Sequence, residues 1–123
     1  MSTLHSEEKE GILVVRFADA KILDEQRIQQ IGKDLIDITE ASLAKDKKLV
    51  LNFEGVTFMS SHMIGKLVLL NKTCKSKEIA IKFCSISPNV AEVFKIMRLN
   101  KVFDLQKDEA TALASFTKKG WFG

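Results

Sequence analysis

Two short segments made almost wholly of apolar residues constrain the fold of this chain most. They are residues 49–51 (LVL) and 79–81 (IAI), and each is followed by a helical pattern. Strands that are apolar on both faces are typical of a parallel sheet covered by helices. Because strands and helices alternate after the first segments, we predict an α/β fold with a mixed, mostly parallel sheet and an antiparallel edge.

The predicted sheet has four or five strands. The two apolar segments extend to residues 48–53 and 79–84 and suit central positions. Residues 11–17 are rich in β-branched side chains and predict another strand, with residues 3–7 as its short partner. Residues 102–105 predict a last short strand.

About four helices are expected to cover this sheet. Asp24 is a candidate cap for the first, which runs from about Glu25 to Ser42, and a loop over residues 56–60 leads to the second. Ser87 and Pro88 provide the cap and first residue of a third. Asp108 caps the last helix, whose predicted inward residues are Ala110, Leu113, Ala114 and Phe116.

Composition narrows the class of protein. Of 123 residues, 46% are hydrophobic and 28% are charged, which argues against disorder. No apolar run approaches the roughly 20 residues of a membrane-spanning helix, and residues 1–8 lack the pattern of a secretory signal. The net charge is only +3, with both signs interspersed and three arginines. We therefore expect a cytoplasmic protein with no membrane or nucleic-acid partner.

The cysteines do not indicate a metal centre. Cys74 and Cys84 do not form a CxxC pair, and both histidines are distant in sequence. Cys74 falls on the core face of a helix and Cys84 in an apolar strand, so we interpret both as buried thiols in a reducing compartment. No metal or other cofactor is expected.

The second helix has two unlike faces. Steps of 100° per residue place its apolar side chains together, and these are Met63, Ile64, Leu67, Val68, Leu70 and Cys74. The opposite face carries His62, Lys66, Leu69 and Thr73. Leu69 is the unusual member, since it is apolar among polar side chains. A lone exposed leucine is common, and a docking contact for a partner is the alternative.

Ser60 and Ser61 stand where this helix begins. A serine there commonly accepts a hydrogen bond from a free amide of the first turn, which is a purely structural role. The same geometry also suits a phosphoserine, which adds roughly −1.5 to −2 charge beside the positive end of the helix dipole. In that case the fold would survive while a partner surface fitted to a neutral hydroxyl would be lost.

The run from Leu49 to Leu67 resembles the central motif of STAS domains. In that family a strand and a Gly-Val-x-Phe loop lead to Asp-Ser-Ser/Thr-Gly-Leu-Gly at a helix start. Residues 87–90 are similar to the family's next helix opening, and residues 99–103 to its Gly-Leu-x-x-x-Phe turn. The resemblance extends over nearly the whole chain and is to the anti-sigma factor antagonist type.

This resemblance implies a non-enzymatic binding switch. The unphosphorylated domain would bind an anti-sigma factor that is an ATP-binding serine kinase of the histidine-kinase ATPase type, and so free a sigma factor. The kinase would phosphorylate Ser61, with Ser60 as the alternative, and a PP2C-type phosphatase would reset the switch. The implied docking surface comprises Phe58, Met59, Ser60, Ser61, His62, Lys66 and Leu69. The expected state is a monomer or a weak dimer.

Two positions depart from the family motif. Ser60 stands at the usual aspartate, which removes a charge beside the expected phosphosite, and Met63 stands at the usual glycine. The second change makes position 63 available to the core. These departures bear on phosphorylation more than on partner binding. They favour an alternative in which the domain is a scaffolding or sensory STAS module that binds partners without being phosphorylated.

The sequence offers little for an enzyme. It has no GxGxxG, GxxxxGK[ST] or GxSxG motif. Ser61 and His62 are adjacent, so their side chains diverge at a helix start, and no third orienting acid is evident. We interpret His62 as a surface residue and expect no catalytic residues.

We predict one domain over residues 1–117 and a tail over residues 118–123. Trp121 and Phe122 in this tail have two interpretations. In the first, they make contacts, either by folding back onto the domain or by engaging a partner, as large exposed aromatics often do. In the second, they belong to a frayed end.

Overall fold

The structure is a computed structural model that describes residues 3–43 and 45–122, with side chains described up to residue 116. Its elements in chain order are β1 (Leu4–Lys9), β2 (Ile12–Phe17), β3 (Lys21–Ile22), α1 (Glu25–Leu43), β4 (Lys48–Asn52), β5 (Phe58–Met59), α2 (Ser61–Ser76), β6 (Ala80–Cys84), α3 (Pro88–Ile96), a 3₁₀ turn (Leu99–Lys101), β7 (Leu105–Gln106) and α4 (Glu109–Phe122). The predicted α/β fold is confirmed, and the four expected helices are among these elements.

The main sheet has five strands in the order β1-β2-β4-β6-β7. Strand β1 pairs with β2 in the antiparallel sense, while the other three pairs are parallel. The two apolar segments occupy the central strands β4 and β6, where Leu49 pairs with Ile81. The predicted mixed sheet, with its single antiparallel edge, is therefore confirmed.

The two faces of the sheet bury different cores. One face packs under α1, α2 and α3 and contains a row of stacked rings: Phe17 and Phe53 are 4.7 Å apart, Phe53 and Phe83 5.8 Å, and Phe83 and Phe103 4.4 Å between centroids. Phe17 is the last residue of β2, and Phe53 directly follows β4. The row of rings therefore reaches the carboxyl ends of these strands, on the side of the sheet where α2 begins.

Helix α4 covers the opposite face and is held by a charged cluster. The Glu109 carboxylate accepts hydrogen bonds from Lys9 at 2.6 Å, Arg16 at 2.7 Å and Asn52 at 2.9 Å. Burial raises the pKa of Glu109, but the bonds from Lys9 and Asn52 and the charge of Arg16 outweigh it, so the pKa lies below its ordinary value. Glu109 thus ties the start of α4 to three strands.

The predicted inward face of the last helix was partly wrong. Leu113 and Phe116 pack inward, but Ala110 and Ala114 are exposed and Ala112 is fully buried instead. The reason is the anchored Glu109, which turns the stripe 109, 112, 113 and 116 toward the sheet. The helix also continues to Phe122, past the predicted start of the tail, and the side chains of Trp121 and Phe122 lie outside the described residues.

The predicted last short strand exists, but its bounds were wrong: it was expected over residues 102–105 and lies at Leu105–Gln106. The amides of Val102 and Phe103 donate to the carbonyl of Leu99 at 2.9 and 2.8 Å, which closes a tight turn there. Strand β7 begins only at Leu105.

Two further strands, β3 and β5, form a small parallel sheet that the sequence did not predict. Within the described residues, no helix is long and apolar enough to span a membrane.

Candidate functional site

A tight turn after β4 directs the chain toward the start of α2. The amide of Val56 donates to the carbonyl of Phe53 at 2.9 Å, and Val56 is buried. Gly55 has φ +90°, a conformation that strains residues with a side chain even though a Cβ there would meet no atom within 4 Å. Gly55 is therefore required by the backbone conformation rather than by space.

The small β3–β5 sheet then sets which side chains face outward. The amide of Thr57 donates to the carbonyl of Ala20 at 2.8 Å, and the amide of Ser60 donates to that of Ile22 at 3.0 Å. Side chains alternate along such strands, so Ile22 and Met59 are buried. Leu23 and Phe58 remain 49% and 48% exposed beside the start of α2.

Ser60 is the residue that caps α2. Its backbone is extended (φ −76°, ψ 163°), and its hydroxyl accepts a hydrogen bond from the amide of Met63 at 3.3 Å. Its carbonyl accepts the first helical bond, from the amide of Ile64 at 3.1 Å. The hydroxyl of Ser60 is thus engaged in satisfying the end of the helix, and the residue is half-buried.

Ser61 is the first helical residue and is exposed. Within the described part of the chain its hydroxyl makes no hydrogen bond, in contrast to that of Ser60. It stands at the positive end of the helix dipole, beside amides that have no partner within the helix. The two neighbouring serines therefore have different structural roles, which the sequence left open.

His62 links the start of α2 to the start of α1. Its Nδ1 lies 2.8 Å from one oxygen of the Glu25 carboxylate and 2.9 Å from the other. Both side chains are substantially exposed, so the pair contributes little to stability. The pair instead fixes the position of a charge, because it places the Glu25 carboxylate beside His62, the residue that follows Ser61.

The rest of the predicted docking surface is divided by the structure. Met59, predicted as a contact residue, is only 4% exposed because the alternation of β5 turns its side chain into the core. Lys66 is half-buried, with its methylenes against Gly32 of α1, where a Cβ would lie 3.1 Å from Lys66 Cδ. Leu69 is 63% exposed, farther along the helix. Met63, at the motif's glycine position, is fully buried.

Leu23 and Glu25 belong to this site but were not predicted from the sequence. They reach it through contacts between segments 37 residues apart, as in the bond from Thr57 to Ala20 and the pair of His62 with Glu25. A two-residue strand is too short to produce a detectable alternation of side chains. The pairing with β5 was therefore the missing signal.

The remaining reactive side chains do not add a site. Burial raises the pKa of both Cys74 and Cys84 to about 11, so both thiols are protonated near neutral pH. Among the described residues, no group of three or more His, Cys, Asp or Glu side chains is placed to hold a metal ion.

Comparison with known proteins identifies the family. The model of the STAS domain matches residues 3–112. An anti-sigma factor antagonist (STAS) domain protein from Planctomyces limnophilus is similar over 93% of this chain and 97% of its own, with 20% identity and a TM-score of 0.81. An anti-sigma factor antagonist from Mycobacterium paratuberculosis covers 92% of both chains, with 20% identity and a TM-score of 0.79.

A third solved structure is the Bacillus cell fate determinant SpoIIAA in its phosphorylated form. It is similar over 92% of this chain and 98% of its own, with 16% identity and a TM-score of 0.65. At these identities the three structures establish a common fold. Together with the match of the family model over most of its length, they show that this chain belongs to the STAS domain family.

Proposed function

We propose that this protein is an anti-sigma factor antagonist whose binding is controlled by phosphorylation of Ser61. In this proposal the unphosphorylated domain binds an anti-sigma factor serine kinase in the cytoplasm and so regulates sigma-factor-dependent transcription. The observation that carries it is that the two serines have different structural roles. Ser60 caps α2, which leaves the exposed hydroxyl of Ser61 available for chemistry.

Phosphorylation at Ser61 is compatible with the fold. The Ser61 oxygen would attack the γ-phosphorus of ATP held by the kinase, ADP would leave, and the hydroxyl proton would pass to a base of the kinase. The phosphate adds roughly −1.5 to −2 charge at the positive end of α2. Since the cap bond from Met63 goes to Ser60, the helix keeps it when Ser61 is modified.

The new charge would instead act on the partner. We define the switch surface as Leu23, Phe58, Ser61 and His62, all exposed around the start of α2. The apolar Leu23 and Phe58 are suited to burial against a partner, where a phosphate on Ser61 would lose part of its hydration. Phosphorylation would therefore release the kinase without unfolding the domain.

The relatives support this proposal. Two of the similar structures are described as anti-sigma factor antagonists, and a third was solved in a phosphorylated form. By this analogy the domain carries no catalytic residues of its own, the kinase supplies the chemistry, and a PP2C-type phosphatase removes the phosphate.

The test is to incubate the protein with its cognate kinase and ATP and to map the phosphate by mass spectrometry. We expect stoichiometric label on Ser61 in the wild type and in Ser60→Ala, and none in Ser61→Ala. Label on Ser60, or on any residue outside this pair, would overturn the site assignment.

The scaffolding alternative is separated by a binding measurement. If Ser61→Asp binds the partner as tightly as the wild type does, the switch is excluded and a non-phosphorylated STAS module is favoured.

A further inference from the structure

A groove of about 330 Å³ runs between α1 and α2. Its floor is formed by the buried residues Leu35, Thr39 and Leu70. Its walls include Ile36 and Leu69, which are 58% and 63% exposed. Two apolar side chains left in water on facing helices make this an unpartnered apolar surface, and its volume lies within the range of small-ligand sites.

The two helices run in the same direction along the groove. Gly32 of α1 lies against Lys66 of α2, and seven residues farther along α1 the Thr39 side chain lies near the Cys74 thiol of α2. The lining residues extend from Gln29 to Glu40 on α1, which corresponds to a length of roughly 16 Å at about 1.5 Å per residue. The groove is therefore elongated and has two distinct ends.

Charge distinguishes these ends. Lys33 and Lys66 line the end nearer the start of the helices, whereas Lys77 and Glu40 of opposite sign line the other. Among the ion pairs of the described residues, none includes Lys33, Lys66 or Lys77. The charge of Lys33 also acts on the neighbouring Asp34 carboxyl, whose pKa it lowers. An elongated apolar trough with two lysines outside these ion pairs at one end is complementary to an anion that carries one apolar chain.

The glycine in α1 suits this arrangement. A glycine inside a helix costs about 1 kcal/mol relative to alanine. Here it lets the Lys66 side chain lie across α1, since a Cβ at position 32 would approach Lys66 Cδ and Cε to 3.1 and 3.3 Å. Gly32 thereby leaves room for the Lys66 side chain against α1, with its ammonium nitrogen 3.5 Å from the position of that Cβ.

We propose that the α1–α2 groove binds a free, single-chain fatty carboxylate. The carboxylate lies between Lys33 and Lys66, and the acyl chain lies along Ile36, Leu69 and Leu70 toward Thr73. This site is separate from the switch surface and goes beyond the proposed function. Because Lys66 and Leu69 belong to the groove, they are assigned to this ligand and not to the docking of the kinase.

The experiment uses the full chain without any kinase, so that its failure is independent of the phosphorylation proposal. Sodium dodecanoate, below its micelle concentration, is titrated by calorimetry and followed by amide NMR shifts. Hexanoate tests the need for a long chain, and dodecyltrimethylammonium tests the sign of the head group. Leu69→Asp and Lys66→Glu are compared with Ile96→Asp and Lys101→Glu, which change exposed residues outside the groove.

We expect saturable binding of dodecanoate with shifts confined to α1 and α2. Affinity should fall at least about tenfold in Leu69→Asp and in Lys66→Glu and stay unchanged in both controls. All four substitutions are at exposed or half-buried positions, and thermal melting followed by circular dichroism checks that each variant folds.

Three results would overturn the proposal. The first is the absence of saturable dodecanoate binding, and the second is equal binding in Leu69→Asp. The third is a different occupant of the groove. It would be a second copy of the chain, seen as a dimer in sedimentation experiments that dissociates in Leu69→Asp, or an acidic amphipathic peptide that binds while dodecanoate does not.

Discussion

Helices α2 and α3 begin in the same way but differ at their first helical residue. Ser60 and Ser87 both have an extended backbone, and each hydroxyl accepts a hydrogen bond at 3.3 Å from the amide three residues on. The next residue is Pro88 in α3 and Ser61 in α2. Proline suits this position and brings no hydroxyl. The capping serine is therefore structural in both helices, whereas the second serine of α2 has no counterpart in α3.

The surroundings of the two starts differ as well. The start of α2 is flanked by exposed Leu23 and Phe58, which the β3–β5 sheet holds outward. The residue before the cap of α3, Ile86, is instead partly buried against the main core. Of these two helix starts, that of α2 alone combines a hydroxyl that makes no hydrogen bond within the described residues with an apolar rim, formed by Leu23 and Phe58. Four predictions test this difference.

The largest effect is expected from a negative charge at Ser61. Ser61→Asp should weaken binding of the cognate kinase about 100-fold, or roughly 2.7 kcal/mol, because a charge enters a surface fitted to a hydroxyl. Its unfolding free energy should stay equal or rise by about 0.5 kcal/mol, since the charge complements the helix dipole. Binding is measured by surface plasmon resonance and stability by urea denaturation.

Ser76→Asp is the matched control for that substitution. Ser76 is exposed and is the last residue of the same helix, roughly 22 Å from Ser61 at about 1.5 Å per residue. It should leave kinase binding unchanged and lower stability slightly, because the charge faces the negative end of the dipole. Equal loss of binding in both variants would contradict a localised switch.

The next effect concerns the apolar rim. Phe58→Ala should weaken kinase binding about tenfold, or roughly 1.4 kcal/mol, while leaving the unfolding free energy nearly unchanged because the ring is 48% exposed. Ile96→Ala is the control, since Ile96 is 73% exposed at the end of α3. Comparable affinities of Phe58→Ala and the wild type would remove Phe58 from the switch surface.

The two caps should be equivalent in stability. Ser60→Ala and Ser87→Ala should each lower the unfolding free energy by about 1 kcal/mol, since each removes one capping hydrogen bond. The measurement is equilibrium urea unfolding of both variants beside the wild type. If Ser60→Ala proved neutral while Ser87→Ala did not, Ser60 would lose its structural role and become a stronger phosphosite candidate.

The smallest effect is expected at a third helix start. Asp108 caps α4, and hydrogen bonds from the Thr111 amide and side chain hold its pKa below the ordinary value of 3.8. A lowered folded pKa means that this stabilisation is fully present above pH 3.8 and is lost as the pH falls through the folded value. The serine caps of α2 and α3 do not titrate in this way.

The measurement is urea unfolding of the wild type and Asp108→Asn across the acid range. Asparagine keeps the cap without a charge. The stability difference between the two proteins should therefore shrink below pH 3.8, and a difference independent of pH would contradict this account.

Much of the fold could be predicted because its signals are local. Helical spacing located α1 at residues 25–42, within one residue of the observed Glu25–Leu43, and the caps Asp24, Ser87 and Asp108 each bind an amide three residues on. The last strand was predicted to begin three residues too early, because apolar residues in a tight turn and in a short strand cannot be told apart from sequence. Ala110 and Ala114 were misplaced because the rotation of α4 depends on Glu109 reaching three distant strands.

Local patterns in the sequence indicate the order of the main strands and helices, the apolar central strands and the pair of serines at a helix start, but not β3 and β5. These features depend on side-chain periodicity and on hydrogen bonds that span three or four residues. Which side chains surround the serines depends instead on long-range contacts. Leu23 and Glu25 reach α2, and Met59 turns inward, because β3 pairs with β5 across 37 residues of chain. The contacts that surround Ser61 are non-local, and no local pattern encodes them.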